Sequence, residues 1–199
     1  MKRRGIAFLL LWLLLIPNGA GAQETQETPP KDVAGWRTAT WGMTREQVMK
    51  EFAADGIKEV DGKLEITPFR LLVSDFDVTF GFLDPDGKIN YGPGAPQDEL
   101  AAVTLTGSDD AAEKFPRLIF QGLESQLVAK YGQPGYRTNP QEATSRIGPT
   151  SGDSSFVQAN WTFPTTTISL TYADNSAGMG LNIVILGYTK NKPADLDKF

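Results

Sequence analysis

The chain has 199 residues, with 19 basic and 24 acidic side chains and with neither histidine nor cysteine. The two missing residue types exclude disulfides, thiolate nucleophiles, Ser-His and Cys-His catalytic pairs and the commonest zinc ligand. The net charge of −5 disfavours nucleic acid and anionic lipid as partners, because both reward clusters of Lys and Arg.

Residues 1–22 have the layout of a secretory signal peptide. Basic residues 2–4 precede an apolar run over 6–16, and a small-residue stretch ends at Ala22. This order predicts cleavage after Ala22. The apolar run is shorter than the roughly 20 residues of a spanning helix. We therefore expect a periplasmic or secreted protein with no stable membrane anchor after signal removal, in which 16 basic and 24 acidic residues give a net charge of −8.

The folded domain is expected over 36–190, between a disordered leader at 23–35 and a flexible tail at 191–199. Its first element is predicted from residues 41–52, which read WGMTREQVMKEF. Thr44 and Gln47 have the spacing of a capping box, and Gly56 supplies a left-handed helix stop. We predict a helix from about Thr44 to Ala54.

Strand signals follow this helix. Asp61-Gly62 is a hairpin turn within 57–66, and an alternating apolar pattern predicts a strand over 78–82. Two more strands are predicted over 69–73 and 100–106, with a turn at 84–87 between them.

A second helix is predicted from Pro116, which suits the first helical position, to Gly132. Five residues are assigned to its apolar face: Leu118, Ile119, Leu123, Leu127 and Tyr131. The polar stretch 138–155 predicts a mobile loop. Three strands are then expected over 156–163, 166–172 and 180–188.

Both halves of the domain read as one helix followed by three strands. VTFGFLDPDG at 78–87 corresponds to ISLTYADNSAG at 168–178, and LAAVTLTG at 100–107 corresponds to LNIVILGY at 181–188. Chance similarity is the other interpretation. The pattern predicts an α+β fold with two αβββ units, about 36–107 and 108–190. These would form one antiparallel sheet of about six strands with two helices packed on one face.

The helix start Gly42-Met43-Thr44, with Val48 after it, resembles that of the small SmpA/OmlA-type outer-membrane lipoproteins. The tandem layout is similar to that of the secreted β-lactamase inhibitor proteins. Both resemblances imply a protein-binding role, as an assembly scaffold or as an inhibitor. The chain lacks the lipidated cysteine of the first group and the paired cysteines of the second, so neither anchoring nor any functional residue is carried over.

Two groups of residues offer binding chemistry. Calcium ligands are available around the acidic turn, in Asp84 and Asp86 with Asp75, Asp77 and Asn90 nearby, although an ordinary β-turn explains the same residues. An aromatic platform is available in Trp36, Trp41, Trp161, Tyr91 and Tyr136, although burial in the core is favoured for Trp41 and Trp161.

The sequence predicts an exported, non-enzymatic envelope protein that binds or scaffolds another envelope or secreted protein. Recognition is expected on an exposed sheet face or on the 138–155 loop. A small-ligand or calcium-binding periplasmic protein is the alternative, and a hydrolase with paired carboxylates is a third. No catalytic residue, metal ligand or cofactor is assigned.

Overall fold

The computed structural model describes residues 32–92, 99–138, 154–175 and 182–192. The predicted signal peptide, residues 23–31 of the leader, residues 139–153 of the loop and residues 193–199 of the tail lie outside the described residues. The described elements are β1 (Gly35–Trp36), β2 (Ala39–Thr40), α1 (Arg45–Glu51), β3 (Lys58–Val60), β4 (Lys63–Leu71), β5 (Ser74–Leu83), β6 (Ile89–Asn90), β7 (Glu99–Gly107), α2 (Asp110–Lys114), α3 (Pro116–Tyr131), β8 (Tyr136–Arg137), β9 (Ser154–Thr162), β10 (Thr166–Asn175) and β11 (Ile183–Lys190).

Nine of these strands form one antiparallel sheet, and β1 with β2 forms a separate small one. The order in the large sheet is β3-β4-β5-β7-β11-β10-β9-β8, and β6 also pairs with β5. The α+β class is confirmed. The predicted counts of about six strands and two helices are wrong, because the described residues form nine strands in this sheet and three α-helices.

The extra elements are short. Strands β6 and β8 have only two residues each, too few to display an alternating pattern, whereas the three-residue β3 lies within the predicted 57–66 hairpin. Helix α2 has five residues, less than two turns, and so shows no helical period. Conversely, the predicted strands at 63–66 and 69–73 are largely one strand, β4, with a register irregularity between Ile66 and Phe69.

The core lies on the helix-covered face of the sheet. Successive residues along a strand alternate between the two faces, whereas directly paired residues of neighbouring strands share a face and so form rows across the sheet. One buried row crosses six strands through Leu64, Phe80, Val103, Tyr188, Ile168 and Trp161. The two halves of the chain therefore share a single core.

Helix α1 begins as predicted. The Thr44 hydroxyl accepts from the Gln47 backbone N–H, and Gln47 Oε1 accepts from the Thr44 backbone N–H at 2.8 Å, which completes the capping box. The α-helix ends at Glu51, and a 3-10 turn leads to Gly56 in the left-handed conformation. Phe52 stacks on Trp36 with ring centroids 5.6 Å apart, so this end of the helix anchors the β1–β2 hairpin.

Helix α3 covers β10 and β11. It buries Ile119, Phe120, Leu123, Leu127 and Tyr131. The predicted apolar face is wrong at one position, because Leu118 is 64% exposed. At 100° per residue, Leu118 shares its side of the helix with Gly122, Ser125 and Ala129, and this side faces away from the sheet.

Both ends of the predicted domain make further contacts. The Thr165 backbone N–H donates to Asp32 Oδ1 at 3.0 Å, and the Asn191 amide donates to the Phe163 carbonyl at 2.6 Å. Contacts with the domain thus extend a few residues beyond the predicted boundaries at 36 and 190. Among the described helices, none is long and apolar enough to cross a membrane.

Candidate functional site

The sheet face opposite the helices, which we call the outer face, is polar. Over β5, β7, β11, β10 and β9 it presents fifteen residues in three rows, of which seven are threonine and one, Asp77, is charged. The rows are Gly81, Ala102, Thr189, Thr167, Thr162; Thr79, Thr104, Gly187, Ser169, Asn160; and Asp77, Thr106, Ile185, Thr171, Gln158. The outer face is therefore neither apolar nor strongly charged.

Four large apolar side chains are exposed where the β4–β5 turn meets the beginning of α3. We call Leu72, Val73, Phe115 and Leu118 the apolar patch. Their exposed fractions are 36%, 64%, 58% and 64%. A few exposed apolar residues are ordinary on a surface, but a contiguous group of them marks an interaction site.

Leu72 and Val73 are neighbours in the β4–β5 turn, and one contact of Leu72 brings this turn against α3. Leu72 Cδ1 lies 3.1 Å from the point that a Cβ on Gly122 would occupy. Leu118 lies one helical turn before Gly122 on the same side of α3, and Phe115 caps the same helix three residues earlier. The patch is thus formed by the turn packing against the first two turns of α3.

The backbone at Leu72 is strained. Its φ of 57° places it in the left-handed region, which branched side chains rarely adopt and which glycine or asparagine fills at low cost in turns. A leucine in this conformation costs about 1–2 kcal/mol. Leu72 therefore lowers the stability of the fold at a turn position where glycine or asparagine would be more favourable.

Asp109 fixes the β4–β5 turn to α2. Its Oδ1 accepts from the Ser74 hydroxyl at 2.5 Å and from the Ala112 N–H at 2.8 Å, and its Oδ2 accepts from the Asp75 N–H at 2.9 Å. Burial alone raises the pKa of Asp109, but these hydrogen bonds and the charge of Arg70 outweigh burial and lower the pKa below its usual value. The ionised carboxylate thus positions the turn that carries the apolar patch.

A cleft lies between α3 and the sheet, where the two halves of the chain meet. Its cavity has a volume of about 230 Å³. Leu105 and Leu186 line it from the central strands β7 and β11, and Leu123 and Leu127 line it from α3. A second cavity of about 280 Å³ adjoins it, and Arg37, Lys130 and Tyr131 line both.

The acidic residues proposed for calcium are engaged separately. Asp84 Oδ1 accepts from the backbone N–H groups of Asp86 and Lys88 at 2.9 and 2.8 Å, as in an ordinary turn. Asp75 pairs with Arg70 at 2.8 Å, and Asp77 accepts from the Thr67 hydroxyl. Within the described ranges, no three acidic side chains converge as metal ligands would. The calcium site stays a prediction with no geometry in its favour.

The five aromatic residues do not form a platform. Trp36 and Trp161 are buried, and Trp161 Nε1 donates to the Gly132 carbonyl at 2.7 Å. Trp41 is half-buried and donates to the Thr166 hydroxyl at 2.6 Å. The Tyr91 hydroxyl is hydrogen-bonded to the Thr104 hydroxyl of β7 on the outer face. Tyr136 lies on the edge strand β8, four strands away from β7. The core assignment is confirmed for Trp161, and Trp41 packs against the core.

Sequence reasoning missed the apolar patch. The exposure of Leu118 could have been predicted from its position in the helix, because at helical spacing it lies on the side of Gly122 and Ser125 rather than on the side of Leu123. Leu72 and Val73 lie in a stretch read as strand, and only the pairing of Leu71 with Ser74 shows that they form the turn. No protein-family model, no curated protein and no solved structure matches this chain.

Proposed function

We propose that this protein is an exported, non-enzymatic protein-binding module and that the apolar patch is its docking surface. Export is inferred from the predicted signal peptide, and a non-enzymatic role is favoured by the lack of histidine and cysteine, which removes the usual general base and the thiol nucleophile. The observation that carries the proposal is the exposure of Val73, Phe115 and Leu118 beside the strained Leu72.

The apolar patch is large enough to matter for binding. Full burial of a Val, Leu or Phe side chain contributes about 1.5–3 kcal/mol. Three of the four side chains are more than half exposed, so most of this contribution is still available to a partner. Covering them yields several kcal/mol before the costs of association, which is on the scale of a hot-spot cluster.

The surroundings of the apolar patch favour a protein partner. Exposed Arg70, Asp110 and Lys114 lie near it, with side chains 61%, 87% and 63% exposed. An apolar centre with a rim of both charge signs is the usual anatomy of a protein interface. An anionic lipid surface would instead select a uniformly basic rim. We infer that the partner is another envelope or secreted protein.

The strand order supports the predicted two-unit arrangement, which we retain as part of this proposal. The last strand of the first half, β7, pairs with the last strand of the second half, β11. Outward from this pair follow β5 and β4 on one side and β10 and β9 on the other. Two αβββ units joined through their final strands would produce this order.

Serine substitutions in the apolar patch test the docking surface. Val73→Ser and Leu118→Ser are compared with Val60→Ser, which removes the same side chain as Val73→Ser from an exposed position on β3. We expect each patch variant to bind the partner captured from periplasmic extract about tenfold more weakly, because 1.4 kcal/mol is a factor of ten. Val60→Ser should bind like the wild type.

Melting temperatures serve as the folding control, since substitutions of exposed side chains change stability little. Wild-type affinity in both patch variants, with unchanged melting, would eliminate the apolar patch as the docking surface. Stabilisation by a small molecule, with no stoichiometric protein captured, would instead favour the alternative of a small-ligand-binding protein.

A further inference from the structure

The cleft lies over the seam between β7 and β11, where the regions covered by α3 and by α1 meet. Helix α3 packs on β10 and β11, while α1 packs through Phe52 on Trp36 and on Phe80 of β5. Leu105 and Leu186, which pair across β7 and β11, line the cavity between these two coverings. The result is an apolar floor at the junction of the two halves.

Two cations and no carboxylate line this cavity. The Arg37 guanidinium lies 5.4–5.6 Å from the ring centroids of Trp36, Phe52 and Phe69 and pairs with Asp55 at 3.1 Å. Lys130 makes no ion pair among the described residues, and its ammonium lies 5.0 Å from the Tyr131 ring centroid. Arg37 has a φ of 53°, in the left-handed region that residues other than glycine rarely adopt.

Gln126, Tyr131 and Tyr188 are the uncharged polar residues that line the cavity. Tyr188 is hydrogen-bonded to Tyr131, and burial first, then Tyr131, raises its pKa far above the usual value. The Tyr188 hydroxyl therefore stays neutral at physiological pH. The pair has two hydroxyl hydrogens, and its mutual hydrogen bond uses one. One O–H thus remains for an acceptor, beside an exposed ammonium.

We propose that this cleft binds a medium-chain carboxylate, with its carboxylate at Lys130 and Arg37 and its tail on Leu105 and Leu186. This inference goes beyond the proposed function, because it concerns a small molecule and a different surface. Although the net charge of the chain is negative, both charged residues that line this cavity, Arg37 and Lys130, are cations, which favours an anionic ligand.

The volume limits the length of the tail. One water takes about 30 Å³ of liquid volume, and a methylene group takes about as much, so 230 Å³ accommodates a tail of about seven or eight carbons. The adjoining cavity shares Lys130 and Arg37 with the first. Asp32 lines only the second cavity, and its negative charge disfavours a carboxylate there, so the ligand's carboxylate is placed at the wall that the two cavities share.

Octanoate is the probe, with 1-octanol and octylammonium as controls of equal length. We expect octanoate to raise the melting temperature saturably, octanol to do so more weakly, and octylammonium to have no effect. Bromination at the carbon next to the carboxylate of octanoate should quench Trp36, because the Arg37 guanidinium lies 5.5 Å from the Trp36 ring centroid. The quenching titration gives a dissociation constant for each variant.

Lys130→Gln is compared with Lys50→Gln, because each lysine stands in the last turn of its helix. Lys130→Gln should weaken octanoate binding about two- to fivefold, the range for a partly exposed ion pair, and should leave octanol binding unchanged. Leu186→Trp, which fills the floor, should abolish both.

Equal effects of octanoate and octanol, or octanoate binding that is the same in wild type and Lys130→Gln, would overturn the assignment of the carboxylate. Absence of any effect of octanoate on melting and quenching would overturn the proposal as a whole. Neither result bears on the apolar patch, whose test uses Val73→Ser and Leu118→Ser.

Discussion

Replacing Gly187 by threonine should stabilise this protein. Gly187 stands at the centre of the outer face, between Thr104 of β7 and Ser169 of β10. A Cβ at this position would approach no atom more closely than 3.9 Å, at the Ser169 carbonyl. The site therefore accepts a side chain without displacement of its neighbours.

The magnitude follows from two terms. A glycine within a strand lowers stability by about 0.5–1 kcal/mol relative to alanine, because glycine loses more backbone conformational freedom on folding. Cross-strand contacts of a β-branched residue with its neighbours contribute about 0.2–1 kcal/mol more. We expect a gain of about 1 kcal/mol, which raises the melting temperature by about 2–4 °C in a domain of this size.

Gly107→Ala is the matched control. A Cβ on Gly107 would lie 2.6 Å from the Ala112 Cβ, so α2 would have to move. We expect a loss of about 1–3 kcal/mol, the usual cost of overpacking. Urea unfolding of the wild type and the two variants measures both changes.

Destabilisation by Gly187→Thr would refute the inference that a side chain fits at this position without displacing its neighbours. The same variant also separates the two candidate docking surfaces. If the partner docks on the apolar patch, Gly187→Thr binds it with unchanged affinity, whereas docking on the outer face would weaken binding by filling its centre.

Three further predictions concern the groups that hold the turn, the hairpin and the core. Asp109→Asn should lower the free energy of unfolding by about 1 kcal/mol at pH 7. Because the pKa of Asp109 is lowered in the folded protein, the stability that its carboxylate contributes is lost as the pH falls below about 4. The difference between wild type and variant in urea unfolding should therefore shrink at pH 3. Thr166→Val should cost about 1–3 kcal/mol, because this buried hydroxyl accepts from Trp41 Nε1 and donates to the Val33 carbonyl; equal stability in thermal denaturation would contradict both bonds. Phe120→Ala should cost about 3–5 kcal/mol, because Phe120 is 1% exposed and packs on Tyr172 with centroids 5.1 Å apart; a loss below 1 kcal/mol in calorimetry would show that α3 is not docked there.

Elements coded by adjacent residues were predictable from the sequence. The Thr44 and Gln47 capping box sets the start of α1, and Asp61-Gly62, both with positive φ, closes the β3–β4 hairpin as a two-residue turn requires. Each of these signals acts within a few residues, so distant contacts do not change its outcome.

The apolar patch was not predictable in the same way. Whether Leu118 is buried depends on the rotation of α3 on β10 and β11, and whether Leu72 and Val73 form a turn depends on the pairing of β4 with β5. Asp109 joins these elements through Ser74, 35 positions away in sequence. Such long-range contacts leave no local pattern.

The two edges of the large sheet are short. Strand β3 has three residues, including Lys58 and Glu59, and β8 has two, held to α3 by the Arg137–Glu124 ion pair at 2.6 Å. Short and charged edges oppose pairing with a strand of another chain, which protects a wide sheet from edge-to-edge aggregation. Their cover is partial, because β3 pairs only with Lys63–Glu65 of the nine-residue β4, and β8 pairs only with Ala159 and Asn160 of the nine-residue β9. A partner that binds by adding a strand would therefore have to pair with the remaining edge backbone of β4 or β9.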